Sequence, residues 1–195
     1  NRRSIFLDDG SVFGISEDAF FSIPVQIGDT LTDRKLDNIL VADNQQKILD
    51  FALNLLSYRM RSKVELMHRL KRKKFNEDGI YSVMEKLETK GYVDDQKFAW
   101  AFAREKVRRK LIGPMALRSE FSVHMLDPDI LEYTLKKTYD EFPEHTLMDQ
   151  LLKKRRVPMN KLLDITEKKY AVNTLRNKGF SWDRIQEILV KRGNI

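Results

Sequence analysis

The sequence predicts a mainly α fold: tandem three-helix repeats in an elongated, curved array, preceded by a small N-terminal β-hairpin and short helices. Three observations predict it. Strand-favouring runs are confined to the first 16 residues. From about Gln45 onward apolar residues recur with a helical period and proline becomes rare. One apolar spacing, with a helix-starting residue at the same point within it, occurs three times along the chain.

Ser4-Ile5-Phe6-Leu7 and Val12-Phe13-Gly14-Ile15 favour strands, and Asp8-Asp9-Gly10-Ser11 between them supplies the positive φ of a tight hairpin turn. A lone hairpin is barely stable, so this one must lie against a helix or extend another sheet. Ser16 through Phe21 reads as a capped helical turn ended by Pro24, and Thr32 can cap a second helix through Leu36, Ile39 and Leu40. Ile48, Phe51, Ala52, Leu55 and Leu56 keep a helical period up to the basic turn Tyr58-Arg59-Met60-Arg61. Ser62 stands three residues before Glu65. That is the capping-box pattern, in which hydroxyl and carboxylate each satisfy an orphan backbone N–H, and it opens a further helix.

The repeated series runs Leu66, Leu70, Phe75, Ile80, Met84; then Leu117, Phe121, Leu126, Leu131, Leu135; then Ala171, Leu175, Phe180, Ile185, Leu189. In a chain that is 42% hydrophobic, five such positions coincide by chance in about 1% of registers, so the spacing alone says little. The helix-starting residue directly after each middle member, Asn76, Asp127 and Ser181, says more. Each copy reads as helix, turn, helix, with Phe75, Leu126 or Phe180 buried as a plug in the corner. Further helix follows the first copy over Asp94 to Leu111 and the second over about Glu144 to Arg156. The expected division is 1–44 for the hairpin and short helices, 45–111 for the first module with its lead-in helix, 112–157 for the second and 158–195 for a truncated third.

Composition narrows the chemistry. The 195 residues contain 0 Cys and 3 His, which removes disulfides, thiolate metal sites and cysteine nucleophiles and leaves little for a histidine metal centre. No run approaches the roughly 18 apolar residues of a membrane helix, and Asn1-Arg2-Arg3-Ser4 lacks the apolar core of a secretory signal, so a soluble cytoplasmic protein is expected. The chain does not begin with Met, and residues before Asn1 are expected. Net charge is +7, unevenly spread: residues 1–46 sum to −4 and the remainder to +11. A basic body attracts polyanions through long-range field and counterion release, unless the acidic head packs on it and neutralises part of it.

Arg59-Met60-Arg61-Ser62-Lys63-Val64-Glu65-Leu66 and Lys90-Gly91-Tyr92-Val93-Asp94-Asp95-Gln96-Lys97-Phe98-Ala99 resemble the RecX family of bacterial recombinase regulators. Ile112-Gly113-Pro114 and Lys178-Gly179-Phe180-Ser181 resemble its later landmarks in the same order, so the likeness spans about Gln45 to Ile195. Lys74 departs from the pattern where the family's first turn has Gly, and Met125 does so in the second copy. Neither residue favours a left-handed turn. The resemblance implies a protein without a catalytic centre or cofactor that binds the RecA recombinase, chiefly as its filament on DNA. It also implies restraint of recombination, ATP turnover and coprotease activation, and hence a place in DNA repair and the SOS response.

The candidate contacts to filament or nucleic acid are basic. Arg69, Lys71, Arg72, Lys73 and Lys74 form the densest run, with Arg59, Arg61 and Lys63 one helix-length upstream. Arg104, Lys106, Arg108, Arg109 and Lys110 follow, then Arg118, then Lys153-Lys154-Arg155-Arg156. A single run is ordinarily a solvated face; recurrence by module would draw a strip suited to phosphates along a strand. Phe98 and Phe102, four apart, belong to a core, whereas Trp100 points elsewhere and, if exposed, can meet a partner. Trp182 reads as a hydrophobic anchor at a helix start. Asp94 and Asp95 read as a cap and a dipole partner rather than a metal pair, and His68, His124 and His145 as surface or half-buried residues.

Two further functions are weighed against a filament regulator. A stand-alone DNA-binding module would read a groove with Arg, Asn or Gln at a recognition-helix start. The corresponding starts are Asn76-Glu77-Asp78, Asp127-Pro128-Asp129 and Ser181-Trp182-Asp183, whose acidity opposes phosphate. An enzyme would need a reacting constellation, and neither carboxylates nor histidines supply one. A monomer that binds single- or double-stranded DNA only weakly by itself, with no membrane contact, is expected.

Overall fold

The computed structural model describes residues 2–158 and 162–191. The chain divides after Asp94 into two compact units. The first opens with antiparallel strands β1 (Arg2–Phe6) and β2 (Val12–Ser16), paired from Arg2 opposite Ser16 to Phe6 opposite Val12. Helix α1 (Glu17–Ser22) starts at Ser16, whose hydroxyl accepts from the Ala19 N–H, and Pro24 lies just beyond its end. Helix α2 (Asp33–Tyr58) starts at Thr32, which accepts from Lys35 N–H. The two helical segments expected before and after position 44 are one continuous 26-residue helix.

The reason lies between them. Asp43, a polar residue that interrupts the apolar period, is buried and accepts from Ser16 N–H at 2.6 Å while Lys47 pairs with it at 2.6 Å. That carboxylate ties the corner after the hairpin to α2, with Ile15, Ala19 and Ile39 buried beside it. Helices α3 (Lys63–Arg72) and α4 (Glu77–Thr89) then close a core on α2 made of Ile48, Ala52, Leu66, Leu70, Ile80, Val83, Met84 and Leu87.

The second unit begins with α5 (Asp95–Lys110), which the sequence grouped with α3 and α4. Its Ala99, Ala103 and Val107 instead join the core of α6 (Pro114–Phe121), α7 (Pro128–Glu141) and α8 (Glu144–Lys154). Helices α9 (Ile165–Asn177) and α10 (Trp182–Lys191) add Ala171, Leu175, Ile185, Ile188 and Leu189 to the same core.

The three corners share one backbone. Lys74, Met125 and Gly179 all adopt left-handed conformations, with φ of 61°, 45° and 80°, so packing enforces the turn at two residues that do not favour it. Of the residues that follow, Phe180 is 2% exposed, as expected of a plug, whereas Phe75 and Leu126 are only half-buried. Phe75 meets the Phe51 ring at 5.9 Å. Asp127 caps α7 as predicted, but Asn76 starts α4 without capping it and accepts from the Asn44 side chain instead. Gly113-Pro114, where α6 begins, is a docking point. The Gly113 N–H donates to the Lys178 carbonyl at 2.8 Å and the Met115 N–H to Gly179 at 3.2 Å. A Cβ at Gly179 would lie 2.3 Å from Ala116 N, so only glycine permits this approach.

Candidate polyanion interface

The structure separates the predicted cations into three groups. The first is a clamp around Glu65. Ser62 caps α3 by accepting from Glu65 N–H at 3.2 Å, which places the Glu65 carboxylate in the first turn. Arg59 donates to it through two nitrogens at 2.6 and 3.0 Å, Arg69 through Nε at 3.3 Å, and Arg61 through Nη1. Burial pushes the Glu65 pKa up, but the bonds and charges of Arg59 and Arg61 outweigh it and hold the carboxyl below the usual glutamate range. Arg61 is 7% exposed and its Nε donates to the Leu55 carbonyl at 3.1 Å. It therefore fastens the end of α2 to α3 and cannot belong to a surface strip: a buried guanidinium satisfied by backbone and carboxylate has nothing to offer a phosphate. Arg59 and Arg69 remain at the surface.

The second group is exposed or half-exposed but paired. Lys63 bonds Glu88 at 2.7 Å and Lys71 bonds Glu77 at 2.8 Å, which raises the Lys71 pKa. Arg104 bonds Glu141 at 2.8 Å, and Arg109 bonds Glu105 at 2.8 Å. Lys106 (2.7 Å) and Lys110 share Glu120, whose carboxyl their hydrogen bonds hold below its usual range. Arg118 grips Glu132 with both Nη atoms, one of them at 2.9 Å.

The third group has no carboxylate partner among the described residues: Arg72, Lys73 and Lys74 at the end of α3, Arg108 on α5, and Lys153, Lys154, Arg155 and Arg156 at the end of α8. All are exposed. Their recurrence is structural in one respect. Helices α5 and α8 end alike, at left-handed Leu111 (φ 50°) and Arg156 (φ 58°), each followed by a buried residue, Ile112 or Val157, and preceded four residues earlier by buried Val107 or Leu152. This aligns Arg108-Arg109-Lys110 with Lys153-Lys154-Arg155. Each triplet also sits where a helix dipole favours cations, a local effect of about 0.3–1 kcal/mol.

Among the aromatics, Phe98 is buried and Phe102 half-buried, as expected. Trp100 is half-buried beneath cations, with Lys137 Nζ 4.3 Å and the Arg104 guanidinium 5.6 Å from the ring centroid. Trp182 is exposed at the first turn of α10. His124, expected at or near the surface, is buried between Phe98 and Phe102 at 4.8 and 4.9 Å. No group of three or more metal-ligating side chains converges among the described residues. No helix among them is long and apolar enough to cross a membrane.

The carboxylates are what sequence reasoning missed. Glu65 to Arg69 and Glu105 to Arg109 are i,i+4 pairs legible on a helix, whereas Glu88, Glu120, Glu132 and Glu141 reach their cations only through the fold.

Residues 49–95 match the family model for the first three-helix domain of RecX. The chain is 31% identical over 192 residues to the regulatory protein RecX of Bacillus velezensis, covering 96% of this chain and 71% of that protein. It is 31% identical over 187 residues to the regulatory protein RecX of Bacillus subtilis, covering 94% and 69%. A crystal structure of regulatory protein RecX superposes with a TM-score of 0.78 at 24% identity over 97% of this chain and 93% of the other.

Proposed function

The chain belongs to the RecX family of regulatory proteins, and on that premise we propose that it binds the RecA recombinase, chiefly as its filament on DNA. Bound there, it restrains recombination, ATP turnover and coprotease activation. It does so without a reaction or cofactor of its own, as a monomer in the cytoplasm, with only weak affinity for naked DNA.

The observation that supports the docking is the pair of cation triplets at equivalent ends of α5 and α8, because a filament that repeats along its axis rewards a surface that also repeats. Arg72, Lys73, Arg108, Lys153, Lys154 and Arg155 face the filament first, since no internal carboxylate competes for them. Lys63, Lys71, Arg104, Arg109 and Arg118 can exchange an exposed or half-exposed carboxylate for a phosphate at small cost, whereas Arg59 and Arg69 add to the field from the surface while staying bonded to Glu65. Arg61 is withdrawn from the contact set. The acidic first turns of α4, α7 and α10 count against a groove-reading DNA module.

Pull-down of purified RecA with the full chain, with and without single-stranded DNA and a nucleotide analogue, tests this. Retention on the assembled filament and not on DNA alone is expected. Equal retention on DNA without recombinase would return the stand-alone module.

A further inference from the structure

A groove of about 270 Å³ lies between the C-terminal end of α5 and the corner joining α7 to α8. Leu111, Phe142 and Leu147 supply its apolar lining, Thr146 and Gln150 add a hydroxyl and an amide from α8, and Arg108 stands at its edge. Glu141 also borders it, but Arg104 holds that carboxylate at 2.8 Å, so the uncompensated charge of the groove is the Arg108 guanidinium.

We infer that this groove receives an acidic segment of the protein partner, in which an Asp or Glu sits next to an aliphatic or aromatic side chain. The carboxylate meets Arg108, with Gln150 and Thr146 as neutral donors, and the apolar side chain lies on Leu111, Phe142 and Leu147. The inference deepens the reading above and rests on its premise of a protein partner. Three properties select this occupant. The volume falls just below the range of small-molecule pockets, which suits one anchoring side chain of a larger partner rather than a free ligand. An apolar concavity beside a single cation opposes a bare phosphodiester, whose charge would lose water against Phe142 and Leu147. A planar guanidinium with no internal partner matches a carboxylate through two parallel hydrogen bonds.

The probe is a library of fluorescein-labelled nine-residue peptides with a central Asp or Glu next to Leu, Ile or Phe, with charge-reversed counterparts and a labelled oligodeoxynucleotide alongside. Binding to the full chain is read by anisotropy. Thr146→Trp and Gln150→Trp fill the groove from exposed positions without changing charge, and the pair guards against a folding defect in either. The expected result is capture of acidic apolar peptides over the charge-reversed set, weakened about tenfold or more by either filled variant, with oligonucleotide affinity unchanged. Arg108→Ala should weaken the same peptides. Equal binding of every peptide to wild type and to both folded variants overturns the inference, and so does a loss of oligonucleotide affinity matching the loss of peptide. If RecA filaments are bound while the groove variants change nothing, the groove falls and the regulator reading stands; if peptides behave as expected but no filament is bound, the reverse holds.

Discussion

Replacing Glu65 by Gln tests the division between arginines that build the fold and arginines that are displayed. Glutamine keeps the volume and one acceptor oxygen but removes the charge. It leaves the Arg61 guanidinium, 7% exposed, with the Leu55 carbonyl and a neutral amide in place of a carboxylate. Removing one partner of a buried ion pair costs about 3–5 kcal/mol. Glu65 is itself partly exposed, and Arg59 and Arg69 can turn to water, so the expected cost at neutral pH is about 2–3 kcal/mol.

The pH dependence follows from the lowered carboxyl. A carboxylate with a depressed folded pKa contributes stability that is fully present above its unfolded value, here 4.5, and is lost as pH falls through the folded value. Wild type should therefore lose stability in acid that the Gln variant does not have to lose, and the gap between them should narrow below about pH 4.5. Urea unfolding followed by far-UV circular dichroism, at neutral pH and through the acid range, measures both. A cost under about 1 kcal/mol, or a cost independent of pH, would show that the three arginines do not depend on this carboxylate.

Truncating Lys153, Lys154 and Arg155 together to Ala should flatten the salt dependence of filament or single-strand binding by about 2 in log–log slope, at about 0.7 per lost phosphate contact, with stability unchanged within about 0.5 kcal/mol. Lys74→Gly should stabilise the chain by about 0.5 kcal/mol in the same urea assay, because relief of the left-handed backbone outweighs the extra freedom of glycine in the unfolded chain. Gly179→Ala should cost about 3 kcal/mol, since its Cβ would fall 2.5 Å from the Ala116 Cβ in a backbone held at φ 80°. A thermal midpoint equal to wild type would show that α6 does not dock on this turn.

Local chemistry was legible in the sequence, and long-range partnership was not. Ser16, Thr32 and Asp127 act within three residues of themselves, so a reading of neighbours finds them. The continuity of α2 was hidden because Asp43-Asn44-Gln45-Gln46 interrupts the apolar period. Three of those polar residues answer groups distant in sequence: Asp43 the Ser16 N–H, Asn44 the Asn76 side chain, and Gln45 the side chains of Ser82 and Lys86. Left-handed corners at Lys74 and Met125 were likewise hidden, since the signal for such a turn is glycine and packing imposed the turn without it. Gly113 reads as a break when only its neighbours are considered, and as a close approach once Gly179 is beside it.

The same limit governs the basic surface. A row of cations in a sequence fixes where charge is attached, but its availability depends on acids brought in from other helices. Lys110 and Arg155 occupy equivalent places at the ends of α5 and α8. One is joined to Glu120, from α6, and the other is not. An exposed pair such as Arg118–Glu132 is worth about 0–1 kcal/mol, so an approaching polyanion can open it. A buried member such as Arg61 cannot leave without breaking its bonds to Glu65 and to the Leu55 carbonyl at the end of α2. Engagement should therefore be graded: unpaired cations first, exposed pairs next as a dense phosphate array competes with single carboxylates, and the clamp never. Charge removal at α3 or α8 then weakens binding without unfolding, whereas removal at Arg61 unfolds before it can report on binding.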